Sequence, residues 1–171
     1  VRALVQADMA LYAAHLPLDA HPQLGHNAQI ARLLALDNTE PFAFYHGKAI
    51  GVRGNLGSAA SRETMQQILN EKIGPLQAFF PFGPETIQTV AVVAGSATEP
   101  ALFHELKSQG IDLFITGEPK HGAWYMAREL DLNIYYGGHY TTETFGMKAL
   151  AAHLQETLSL PSVFIETPCM P

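Results

Sequence analysis

The sequence predicts an α/β fold, and two observations carry that prediction. From residue 89 onward, short, almost continuously apolar runs alternate with stretches of helical periodicity. Such runs fit strands buried on both faces of a mainly parallel or mixed sheet covered by helices. The strand runs are TVAVVAG (89–95), LFITG (113–117), NIYYGG (133–138) and SVFIE (162–166), separated by helical spacing over 99–109, 119–130 and 142–158. In sheets of this kind ligands bind in the crevice beyond the carboxyl ends of the strands. Gly95-Ser96, Thr116-Gly117-Glu118 and Gly137-Gly138-His139 occupy those ends, which singles them out by position before their chemistry is considered.

The earlier half is less regular. Leu4, Val5, Leu11 and Tyr12 predict a helix over 2–14, followed by the loop HLPLDAHPQLG and a second helix over 27–36, with Ile30, Leu33 and Leu34 on one face. FAFYHGKAIGVRG predicts a hairpin turning at His46-Gly47. Ser61 through Thr64 marks the start of a helix running to about Glu71, and the Pro- and Gly-rich 74–86 reads as a connection. The pattern thus divides the chain into an irregular 1–60, a connecting helix and linker over 61–88, and an alternating α/β portion over 89–171.

Composition narrows the function classes. Of 171 residues 47 % are hydrophobic and only 15 % charged, which excludes a disordered chain. No apolar run approaches the ~20 residues of a membrane-spanning helix. Sixteen acidic residues against ten basic give a net charge of −6, and no two basic residues are adjacent, so no patch for nucleic acid is visible. The lone Cys169 has no internal disulfide partner and no basic neighbour to activate it. A cytoplasmic location is expected.

Eight histidines direct attention to metal and acid–base chemistry. In GGHYTTE (137–143), His139 and Glu143 stand four apart, so both face one side of a helical turn and suit a divalent ion. The same residues also serve as a strand-end cap and a partner of the helix dipole. HLPLDAH places His15, Asp19 and His21 on a proline-stiffened loop, where Asp19 is either a turn residue or a ligand. Glu118, ahead of Pro119, reads equally as a helix cap or as a general-base carboxylate, with Lys120 and His121 available to an anionic substrate. Gly95-Ser96-Ala97 is a weak phosphate-cradle signal, and His46, His104 and His153 read as solvated positions.

YAAHLPLDAHPQLGHNAQIARLL, VAVVAGSA, DLFITGEPKH, NIYYGGHYTTETFG and FIETPCMP together resemble, in order and spacing, the Ngg-interacting-factor-like family, whose members are called GTP cyclohydrolase 1 type 2 homologues. The resemblance covers nearly the whole chain. It implies two similar α/β lobes in the short form without an inserted domain, a toroidal hexamer, and two divalent ions (zinc, iron or manganese) between the lobes. It assigns metal binding to Asp19, His139 and Glu143, and places His15 and Glu118 beside the metals as candidate catalytic groups. The implied activity is metal-dependent hydrolysis of a nucleotide-like substrate; the alternative is a metal-binding scaffold or regulatory partner without turnover. The family's His-His pair is absent, only 14 residues precede His15, and the chain opens at Val1. The expectation is thus a member lacking about its first third, with an incomplete first lobe.

Overall fold

The computed structural model describes residues 1–168. Cys169 lies outside the described residues. Six strands form one mixed sheet in the order β1-β2-β4-β5-β6-β3. The strands are β1 (Asp37–Tyr45), β2 (Lys48–Ser61), β3 (Ala78–Pro81), β4 (Thr86–Val92), β5 (Leu113–Thr116) and β6 (Asn133–Tyr136). β4, β5 and β6 run parallel, and the outer pairings are antiparallel. The sheet crosses the sequence-based divisions at 60/61 and 88/89, because β2 pairs directly with β4.

Alternation along the central strands sorts the core into two faces. Val90, Val92, Leu113, Ile115 and Tyr135 point to the side covered by α3 (His26–Leu33) and α4 (Arg62–Lys72). Ala91, Val93, Phe114, Ile134 and Tyr136 point to the side covered by α5 (Pro100–Ser108) and α6 (Ala123–Glu129). This period-2 segregation is what a sheet buried on both faces requires. The hairpin turns where expected, with His46 and Gly47 both at positive φ, as a two-residue turn matching strand twist demands. Ser61 caps α4 by accepting the Thr64 N–H at 3.1 Å.

Several elements differ from the sequence expectation. The helix expected over 2–14 stops early: α1 covers Arg2–Gln6, and Asp8 turns left-handed. Val5, Met9, Leu11 and Tyr12 are all exposed, so the pattern has no packed face to stabilise it. The connection 74–86 contains the edge strand β3, hidden by its flanking Pro and Gly residues. The expected strand SVFIE joins no ladder among the described residues, and Val163 and Ile165 are exposed. Alternation marks a segment able to pair but does not supply the partner. The helix expected over 142–158 is realised as α8 (Thr144–Leu158), preceded by the separate turn α7 (His139–Thr142), and α2 (Leu16–Asp19) is a single turn.

His26 fastens α3 to α8. It is 5 % exposed, and its Nδ1 accepts the Gly146 N–H at 2.9 Å. Burial lowers its pKa from 6.5 to about 4, so the ring is neutral and available as an acceptor.

Candidate metal and acid–base site

The carboxyl ends of β4, β5 and β6 meet at three glycine-bearing turns. Gly95 O accepts N–H groups from Gly117 (2.9 Å) and Glu118 (3.1 Å), and Gly117 O accepts from Gly138 (2.8 Å). Side chains cannot enter this crossing: a Cβ on Gly117 would overlap Gly95 O and lie 2.8 Å from the His139 Cα. Thr142, fully buried, locks α7 onto it. Its Oγ1 accepts the Gly95 N–H at 3.0 Å and donates toward Gly138 O at 2.9 Å. The Gly95 N–H proposed as part of a phosphate cradle is therefore already engaged.

Against this framework His139 lies between two carboxylates. Nδ1 is 3.2 Å from Glu118 Oε1, and Nε2 is 3.1 Å from Glu143 Oε1. The i,i+4 pairing read from GGHYTTE is thus realised. Glu118 does not cap a helix, because α6 begins only at Ala123 with Gly122 as its N-cap. Pro119 correspondingly lies in a loop rather than at the first helical position.

Asp19 completes the acidic surround. Burial first, and the Glu143 charge second, raise its pKa from 3.8 to about 6 against the opposing pull of His15 and His139. Asp19 therefore shares its surroundings with Glu143, His139 and His15. His15 is the N-cap residue of α2 and is exposed. His21 belongs to a turn instead, its Nδ1 accepting from the Gln23 and Leu24 N–H groups. Lys120 pairs with Glu99 at 3.3 Å, and His121 is exposed.

Asn27, which sequence reasoning did not single out, ties the Asp19 loop to the sheet. It is 2 % exposed; its amide nitrogen donates to Asp19 O (3.3 Å) and to Ile50 O, while its oxygen accepts the Ala94 N–H at 2.7 Å. One amide thus holds the loop, β2 and the end of β4 together. An Asn followed by a helical pattern resembles an ordinary cap, so only the tertiary contacts reveal its role.

The donor chemistry fits a divalent cation. Two ligands about 2.1 Å from a tetrahedral ion are about 3.4 Å apart, and His139 Nε2 and Glu143 Oε1 are separated by 3.1 Å. The Glu118 carboxylate at 3.2 Å from Nδ1 is placed on the opposite side of the ring from Nε2, as the carboxylate neighbour of a liganding imidazole would be. Among the described residues, no group of three His, Cys, Asp or Glu side chains is arranged to hold an ion by itself.

A mixed sheet with an acid–imidazole–acid site at its strand ends defines a class of α/β proteins with a polar crevice centre. Within it, the chain belongs to the Duf34/NIF3 (NGG1p interacting factor 3) family, whose model matches residues 1–170. A GTP cyclohydrolase 1 type 2 homolog from Deinococcus radiodurans is 38 % identical over 168 residues, covering 98 % of this chain and 63 % of that protein. The solved structure of protein ybgI superposes with a TM-score of 0.87 at 32 % identity, covering 98 % of this chain and 66 % of the other. The crystal structure of TTHA1606 from Thermus thermophilus gives 0.82 at 39 % identity, covering 98 % and 65 %. The chain therefore spans just under two thirds of the length of these relatives.

Proposed function

We propose that this chain carries part of the metal site of a hydrolase acting on a nucleotide-like substrate, with GTP cyclohydrolase-type chemistry. The supporting observation is His139 held between Glu118 and Glu143 and facing a carboxyl, Asp19, whose ionisation is suppressed by burial and by Glu143. Three carboxylates around one imidazole leave negative charge that a cation relieves. The name GTP cyclohydrolase 1 type 2 homolog, borne by the Deinococcus radiodurans relative, supplies the substrate part of the reading.

In this reading Asp19, His139 and Glu143 hold divalent metal, zinc, iron or manganese, with two ions in the working site. Bound metal lowers the pKa of water toward neutrality and stabilises negative charge developing on the substrate. Glu118, 3.2 Å from His139 Nδ1, holds the ring so that Nε2 faces the metal side. His15, exposed beside Asp19, moves the proton of the attacking water to the leaving nitrogen. The net reaction uses two waters: one opens the imidazole ring of a guanine nucleotide at the carbon between its nitrogens to give a formamide, and a second cleaves that formamide, so the carbon leaves as formate and both former ring nitrogens remain as amines. Self-association as a toroidal hexamer belongs to the same reading, supported by exposed Val5, Leu11, Tyr12, Val163 and Ile165.

The test is formate release from GTP with manganese or zinc supplied. We expect His139→Ala to reduce it at least about 100-fold while the circular-dichroism melting curve is unchanged. Formate release at the same rate in His139→Ala would contradict the assignment.

A further inference from the structure

Beside the Asp19–His139 centre, a half-open groove of about 470 Å³ runs from His15 and Ser96 toward α5. It starts at the centre itself: His15 lies in the electrostatic surroundings of Asp19, and Ser96 follows Gly95, whose Cα faces His139 and Glu143. The volume suits a small molecule rather than a chain segment. One wall is made by Phe44 and Tyr45 at the hairpin tip, both exposed. Ala43, buried beneath them with φ +55°, sets the direction of that tip.

The charged groups of the groove are of one sign. Glu99 and Glu105 line it, and among the described residues neither Lys nor Arg does. One oxygen of Glu99 is engaged by Lys120 and one of Glu105 by Gln109, at 3.3 and 3.1 Å, which leaves acceptor capacity on both carboxylates. The Ser96 Oγ is buried and has no hydrogen-bond partner among the described residues. Aromatic lining residues in a groove that also holds carboxylate acceptors select a planar ring bearing N–H donors, and the carboxylates disfavour an anion. A polyphosphate in this groove would meet two carboxylates without a lining Lys or Arg to offset them.

We propose that the groove seats the ring of the substrate: an uncharged or cationic, amino-substituted planar heterocycle, packed on Phe44 and Tyr45 and donating to Glu105 and Glu99, with any phosphate outside. This deepens the hydrolase reading by fixing which end of the substrate enters, and it rests on that reading for its place beside the reacting centre. Glu105 then determines specificity without touching the reacting atoms.

The experiment measures binding of guanosine, inosine and GTP to the intact chain by saturation-transfer NMR, in EDTA so that neither metal nor turnover contributes. Guanosine and inosine differ by one amino group, the donor in question. Guanosine is expected to bind about tenfold more tightly than inosine, and GTP no more tightly than guanosine. Glu105→Gln should bring guanosine to the level of inosine, while Tyr45→Ala weakens both nucleosides about equally. Equal binding of the two nucleosides, tighter binding of GTP, or no guanosine binding would overturn the proposal. Failure of formate release with guanosine selectivity intact would instead count against the hydrolase reading alone.

Discussion

Replacing Gly117 by alanine should destabilise the protein by about 3 kcal/mol or more, measured as the shift in urea-unfolding free energy. The added Cβ meets backbone on both sides, the Gly95 carbonyl and the His139 Cα, neither of which can rotate away. Relief requires the ends of β4 and β5 to part from the turn that carries His139. The same substitution should therefore disturb the His139–Glu118 and His139–Glu143 contacts in whatever fraction still folds. Gly122→Ala is the control: nothing among the described residues lies within 4 Å of its Cβ, and its cost should stay within about 0.5 kcal/mol. Equal stabilities for the two variants would show that the three strand ends are not packed as described.

The second large effect is acid destabilisation through His26. Its folded pKa, about 4, lies below the ordinary 6.5 because the ring is buried. Between those values the unfolded chain binds a proton that the folded chain excludes, so stability rises with pH across the window. The contribution is fully present above about pH 6.5 and is lost as pH falls to 4. A shift of that size corresponds to at most about 3 kcal/mol. Asp19 acts in the opposite sense, since its raised folded pKa favours the folded state as pH falls from about 6 toward 4. His26→Asn separates the two, because the Asn oxygen retains an acceptor for the Gly146 N–H without titrating. Urea unfolding at about pH 7 and about pH 4.5 should show a smaller acid loss in His26→Asn than in the parent. An identical loss would remove His26 from the account.

The parts of this protein legible in its sequence are those encoded locally. The strand–helix alternation after residue 89 states the fold class, because each buried strand must be apolar throughout. The His139–Glu143 pair follows from helical spacing, and the hairpin from a two-residue turn between apolar runs. Asp19 reads from its own segment as either a turn residue or a ligand, and the ligand role comes only as what the family resemblance implies. Asn27, Thr142 and the Gly95–Gly117 crossing act over long sequence separations: the Asn27–Ala94 bond spans 67 residues and Thr142–Gly95 spans 47. Nothing in the local pattern around such residues distinguishes them from ordinary caps and turns. The misread segments fail for a related reason. Residues 2–14 and 162–166 carry sound helix and strand patterns, but pattern alone does not supply a surface to pack against.

The central claim, that Asp19, His139 and Glu143 bind divalent metal, is tested most directly by metal content. Elemental analysis of the purified chain, alongside Asp19→Ala and His139→Ala, after equilibration with zinc or manganese and removal of free ion, reads it without reference to turnover. The account predicts stoichiometric metal in the parent and at least about a 100-fold loss of affinity in each variant, with the fold intact. Metal content below one ion per chain, or retention unchanged by either substitution, would contradict it.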